Sequence, residues 1–322
     1  RQRKVVLGKK KRKNIRKAVF LRNNNQHLSP YGPVMTDRTT SIFTFSFLLL
    51  CLSLATADLR ADDGGLANRI DGYIKSQRAS GGLRSDERTA WLVYDFTSGH
   101  EVANINGNAA LQAASMIKVY LALAFFHEVE AGRLTYSSTA RSHMELMIQK
   151  SNNESTNWVM RQTGGPAATE ALLKRHYSSL CQQIRLVEYI PEGGKTYRNR
   201  GSAGDYARFL HALWYKQLPQ SEEILRTMAL PGIDRLYTDV KSVPPGTRVY
   251  NKTGSTAMCC GDMGIIVAKG RDGRSYPYLM VGIIESARRN TSSYSTWISR
   301  RADVIREVSN LVYLDMKKRH SL

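Results

Sequence analysis

Ser115-Met116-Ile117-Lys118 opens an apolar stretch of this chain, and two short motifs follow in order, Ser151-Asn152-Asn153 and Lys252-Thr253-Gly254. A serine hydroxyl is a poor nucleophile at neutral pH. A lysine amine three residues on lies one helical turn away on the same face, where it can take the hydroxyl proton. The chemistry that suits this pair is nucleophilic acyl transfer through Ser115.

Any one motif carries little weight, since average residue usage puts roughly one Ser-x-x-Lys into a chain of this length by chance. Order, spacing and context carry more. At the N-terminus of a helix, Ser115 meets the positive end of the macrodipole, and its own N–H can donate to a developing oxyanion. Lys118 must be neutral part of the time to act as base, against a reference pKa of ~10.4, and both burial and the helix end favour that form. The competing reading is a lysine that snorkels out of a core helix. Ser151 with Glu154 three residues on is also a capping box, and taken alone it reads as a helix start.

Together the three motifs resemble those of the serine β-lactamase and penicillin-binding-protein superfamily, class A in particular, over roughly residue 60 to the C-terminus. The resemblance implies that Ser151 relays a proton to the leaving nitrogen and that Asn153 binds the substrate's side-chain amide. Lys252 and Thr253 would hold its carboxylate, Gly254 would leave room for it, and the Ser255 N–H would be the second oxyanion donor. Losing one such donor typically costs ~2.7 to 4 kcal/mol in the transition state. Class A enzymes mostly carry Ser-Asp-Asn, whereas Asn152 stands in the middle here. Their deacylating glutamate lies in a Glu-x-x-Leu-Asn loop; here the best match is Glu188, with Glu192 second, and no Leu-Asn follows. Arg288 or Arg289 is expected from position to meet the substrate carboxylate.

These residues need a scaffold. Helical spacing covers 66–77, strand-like runs cover 89–96 and the segment through Val102 and Ile105, and residues 115–132 are apolar nearly all round, which implies a helix buried on every side. Helical patterns follow at 144–149, 156–163, 166–175, 205–215 and 222–228. An aperiodic stretch spans 184–202. Strands return at 248–252, 263–268 and 276–284, before a closing helix at 296–314. The implied fold is α+β: a mostly antiparallel sheet flanked by helices, an α/β/α sandwich, with an inserted all-helical lobe. The sheet lobe would comprise 58–112 plus 240–322 and the helical lobe 113–239.

The first 57 residues read differently from the rest. Residues 1–34 are basic, and a nucleic-acid arm is set aside in favour of translated sequence upstream of Met35. From Met35, a short apolar run at 42–54 and Ala55-Thr56-Ala57 have the layout of a cleavable secretory signal, too short for the ~20 residues of a membrane span. This segment carries +11 of the formal net charge of +20, leaving +9 for the remainder. That balance suits anionic substrates such as carboxylate-bearing cell-wall peptides. Cys181, Cys259 and Cys260 remain after the leader, an odd number that allows at most one internal bridge. Gly193-Gly194-Lys195-Thr196 is not a Walker motif, because Tyr189 stands where glycine is required. No zinc pattern is present, and no cofactor, metal or nucleic-acid partner is expected.

The expectation is therefore an exported, monomeric serine hydrolase of class A β-lactamase type, with a β-lactam or a peptidoglycan-derived peptide as partner and no stable membrane insertion. A D,D-peptidase or transpeptidase with slow deacylation is the first alternative. A non-turnover β-lactam sensor is the second.

Overall fold

The computed structural model describes residues 65–322; the segments read above as upstream sequence and leader lie outside the described residues. Helix α1 (Gly65–Ala79) leads into the hairpin β1 (Glu87–Asp95) and β2 (His100–Ile105). A two-residue strand β3 (Leu111–Gln112) and a 3-10 turn (Ala114–Ile117) precede α2 (Lys118–Glu130). Next come α3 (Ser138–Ile148), α4 (Asn153–Gln162), α5 (Pro166–His176), the short β4 (Arg200–Gly201), α6 (Ala203–Trp214) and α7 (Ser221–Met228). The chain returns through β5 (Arg248–Thr256), β6 (Cys259–Lys269) and β7 (Ser275–Ser286) to α8 (Tyr294–His320).

The five long strands form one antiparallel sheet in the order β2-β1-β7-β6-β5. Its central strands are buried on both faces, which explains why they read as apolar runs rather than as alternating patterns. Ala90, Leu92, Met263, Ile265, Leu279 and Val281 pack toward the helices between β2 and β5. Trp91, Val93, Ile266, Tyr278 and Met280 pack toward α1 and α8. Trp91 pairs with Gly282, and a Cβ there would lie 2.5 Å from the indole ring, so the glycine makes room for this fully buried indole. The result is an antiparallel sheet between two helical layers, the α+β sandwich expected.

Residues Lys118–Phe126 of α2 are all buried. Fully burying one Leu or Phe contributes ~1.5–3 kcal/mol, so this helix anchors the insertion. The expected start of the helix at Ser115 is corrected: the first turn is 3-10, and regular α-helix begins at Lys118. Helix α8 runs past both expected ends. His320 pairs with Asp95 at 2.7 Å, and the buried Glu87 accepts from Trp297 Nε1 at 2.7 Å and from Arg301, tying the helix to β1. Among the described residues no helix is long and apolar enough to cross a membrane.

Candidate active site

Ser115 sits on the 3-10 turn because three elements grip that turn. A Cβ on Gly254 would lie 3.0 Å from Ala114 Cβ and 3.2 Å from Met116 N, and one on Gly261 would lie 2.7 Å from Met116 Cε. The two glycines thus let β5 and β6 close onto the turn. The space beside Gly254 on that side is taken by the nucleophile's own turn. Before the turn, the Gln112 N–H donates to the buried Glu285 at 3.0 Å, and the Ala113 N–H donates to Asn199 O at 2.9 Å. Ala114 has φ +45°, an L residue in the left-handed region. Such strain costs of order 1–3 kcal/mol and persists only where the surroundings impose it.

Lys118, one turn on, is fully buried. Its Nζ donates to Ser151 O at 2.7 Å and Asn153 Oδ1 at 3.0 Å, and lies 3.2 Å from Ser151 Oγ. Lys252, near the middle of β5, donates from Nζ to the same Ser151 Oγ at 3.1 Å and to Thr253 O at 3.0 Å. One hydroxyl therefore bridges two amines. Burial, then the neighbouring Lys252 charge, pushes the Lys118 amine well below the usual lysine range. Burial also lowers Lys252, to about 8; the buried Asp262 opposes that shift and Arg235 adds to it. A neutral Lys118 can give its two N–H bonds to the carbonyl oxygens, which only accept, and turn its lone pair toward the Ser151 hydroxyl.

Ser151 is not the helix cap. Asn152 is the N-cap of α4, its side chain accepting from Ser155 N at 2.7 Å, while Ser151 sits one residue earlier with φ +55°. The residue that departs from the Ser-Asp-Asn pattern thus performs the capping, and it leaves the serine hydroxyl to the amines.

Ser115, Ser151, Asn153, Thr253 and Ser255 line one groove of about 830 Å³. Strand β5 is an edge of the sheet, so its outer side borders this groove rather than another strand. Among the described residues the lining contains the cations Lys195, Arg235 and Arg306 and no carboxylate. Arg235 was not expected. Its Nη2 donates to Ser255 Oγ at 2.7 Å, its Nη1 to Gly261 O at 2.9 Å, and its N–H to Asp262 at 2.7 Å. Asp234 accepts from the N–H groups of Leu236, Tyr237 and Thr238 and so builds the turn that aims Arg235. An aspartate in a Gly-containing turn was the only sequence trace of this arrangement.

Glu188 lies elsewhere. Its Oε1 accepts from Thr196 Oγ1 at 2.9 Å and from the N–H groups of Tyr197 and Arg198 at 3.0 Å each, folding the loop on itself, and it does not line the groove. Glu192 is exposed and lines a neighbouring hollow of about 300 Å³ that shares Asn153, Gly193 and Gly194 with the groove. Arg288 pairs with Asp86 at 2.9 Å and Arg289 stacks on Tyr197; neither lines the groove. Cys181, Cys259 and Cys260 are buried free thiols.

A profile of the beta-lactamase enzyme family matches residues 74–142 and 135–313. No curated protein matches the sequence. Among solved structures, a mutant of PBP-A described as an acyl-enzyme complex with penicillin G is similar with a TM-score of 0.62 and 21% identity, covering 79% of this chain and 97% of that one. An ancestral class A β-lactamase, GNCA, is similar with a TM-score of 0.61 and 20% identity, covering 78% and 99%. A variant from the last common ancestor of Gram-negative bacteria, bound to a nitrobenzotriazole, has a TM-score of 0.61 and 19% identity, covering 80% and 100%.

Proposed function

The chain belongs to the beta-lactamase enzyme family, and from that premise we propose that it is a serine acyl-transfer enzyme of penicillin-binding type, whose acyl-enzyme on Ser115 is released slowly. Lys118 takes the Ser115 proton as the oxygen bonds to the substrate carbonyl carbon. The scissile C–N bond then breaks, and the proton reaches the departing nitrogen through Ser151. The N–H groups of Ser115 and Ser255 are the donors assigned to the oxyanion. Lys252 and Thr253, with Arg235 beside Ser255, meet a substrate carboxylate, and Asn153 meets the substrate's side-chain amide. A D-alanyl cell-wall peptide and a β-lactam both present these groups. The layout of residues 35–57 supports an exported enzyme acting on that material.

The single observation behind slow release is the groove lining, which among the described residues offers one amine, two guanidiniums and several hydroxyls but no carboxylate to activate a water. Incubation with benzylpenicillin, followed by intact mass over time, tests both parts. A stable adduct on the wild type, absent in Ser115→Ala, is expected. Rapid loss of the adduct would overturn slow release, and a persistent adduct in Ser115→Ala would overturn the nucleophile.

The hollow beside Asn153 favours a second reading, in which Glu192 reaches the acyl-enzyme and the protein is a β-lactamase with turnover. Sustained nitrocefin hydrolysis that Glu192→Gln abolishes and Glu188→Gln leaves intact would establish it.

A further inference from the structure

Thr256, Cys259 and Glu285 are register partners in one row across β5, β6 and β7. Gln112, buried on β3, bonds to all three. Its N–H donates to Glu285 Oε1 at 3.0 Å, its carbonyl oxygen accepts from Cys259 Sγ at 3.3 Å, and its Oε1 accepts from Thr256 Oγ1. Its Nε2 donates to Tyr197 O at 3.4 Å, in the loop that lines the Ser115 groove. Arg88 and Arg200 hold the Glu285 carboxylate in turn. One residue thus ties the strand that enters the nucleophile's turn to three strands of the sheet.

Its place bears on the oxyanion donors. Gln112 stands three positions before Ser115 and Thr256 directly follows Ser255, so their side-chain bond spans the two N–H groups assigned to the oxyanion. Strand β5 is paired only on its β6 side, and its end is tethered here from β3. The Thr256 hydroxyl donates to Gln112 and accepts the Met258 N–H at 3.1 Å, which commits its one hydrogen away from substrate. Oxyanion donors act only when ~2.7–3.1 Å from the oxygen they stabilise, so their mutual spacing has to be held. Resting on the acyl-transfer reading above, we infer that Gln112 is a positioning residue: through Thr256 it fixes the separation of the Ser115 and Ser255 N–H groups, and with it the polarisation of the acyl carbonyl between them.

The test is infrared difference spectroscopy of the full chain under saturating benzylpenicillin, carbon-13-labelled at the lactam carbonyl, with acylation kinetics beside it. Thr256→Val keeps the shape and removes the hydroxyl. It should raise the ester carbonyl frequency and slow the limiting acylation rate by about 10²-fold, the usual cost of a ~1 Å misplacement, with the half-saturating concentration unchanged. Gln112→Met should do the same, and the double variant should be no slower than either single one. Thr256→Ser should restore the wild-type band. Only folded, acylated protein carries that band, so lost stability alone does not move it. A wild-type band and rate in Thr256→Val, an equal shift in Thr256→Ser, or additive losses in the double variant would overturn the inference, while a normal Ser115 adduct would uphold the reading beneath it. No adduct on Ser115 at all would overturn both.

Discussion

Ser151 and Lys252 are 101 residues apart in the chain, yet the lysine Nζ donates to the serine hydroxyl at 3.1 Å. Lys118 approaches the same oxygen at 3.2 Å. Two amines that would repel as ammonium ions share one hydroxyl inside the protein. The arrangement is tolerable because burial and mutual repulsion favour the neutral form of Lys118.

Replacing Ser151 by alanine removes this bridge. The acylation rate should fall by ~10²–10⁴-fold, the usual worth of positioned proton transfer, while the adduct still forms on Ser115. Stopped-flow acylation with nitrocefin measures it, and a wild-type rate would remove Ser151 from the proton path.

Asn152→Ala separates capping from chemistry. Losing the N-cap of α4 should cost ~1 kcal/mol, read by urea denaturation. Acylation should change far less than in Ser151→Ala. A loss of rate as large as that of Ser151→Ala would show that the cap and the relay are one unit.

Gly254→Ala presses a methyl against Ala114 and the Met116 backbone. Overpacking of this kind costs ~1–3 kcal/mol, and the displaced turn should slow acylation by small and large β-lactams alike. Slowing confined to bulky substrates would instead support the view that Gly254 makes room for the ligand.

The pH profile follows from Lys252, lowered to about 8 chiefly by burial. Below that value it is charged and can hold a substrate carboxylate; above it the charge is lost. The second-order acylation rate should therefore decline as pH rises through about 8. Stability moves the other way. An amine whose folded pKa lies below its ordinary value of 10.5 disfavours folding while charged in both states, and this penalty is relieved as pH rises from about 8 toward 10.5. Lys252→Met should remove the decline in acylation and the Lys252 share of the stability rise, leaving the share of the likewise depressed Lys118, measured by acylation kinetics and by denaturation at matched pH.

Sequence alone determined the elements whose burial is nearly uniform. The apolar run after Lys118 had to be a core helix, and the doubly buried strands announced themselves by composition, because side-chain transfer from water is a local property. The three motifs were legible for a related reason: nucleophile, base and carboxylate-binding amine are residue types that chemistry restricts. Tertiary structure alone decided what each neighbour does. Ser151 and Asn152 compete for one capping position, and only the approach of Lys118 and Lys252 shows which is free of it. Glu188 was the best match to the loop pattern, but its carboxylate is taken up by the N–H groups of its own loop. Arg235 had no motif and reached the groove through a turn built by Asp234. Spacing encodes which face a side chain takes within an element; hydrogen-bond partners between elements depend on packing, which brings distant residues together at separations no local pattern contains.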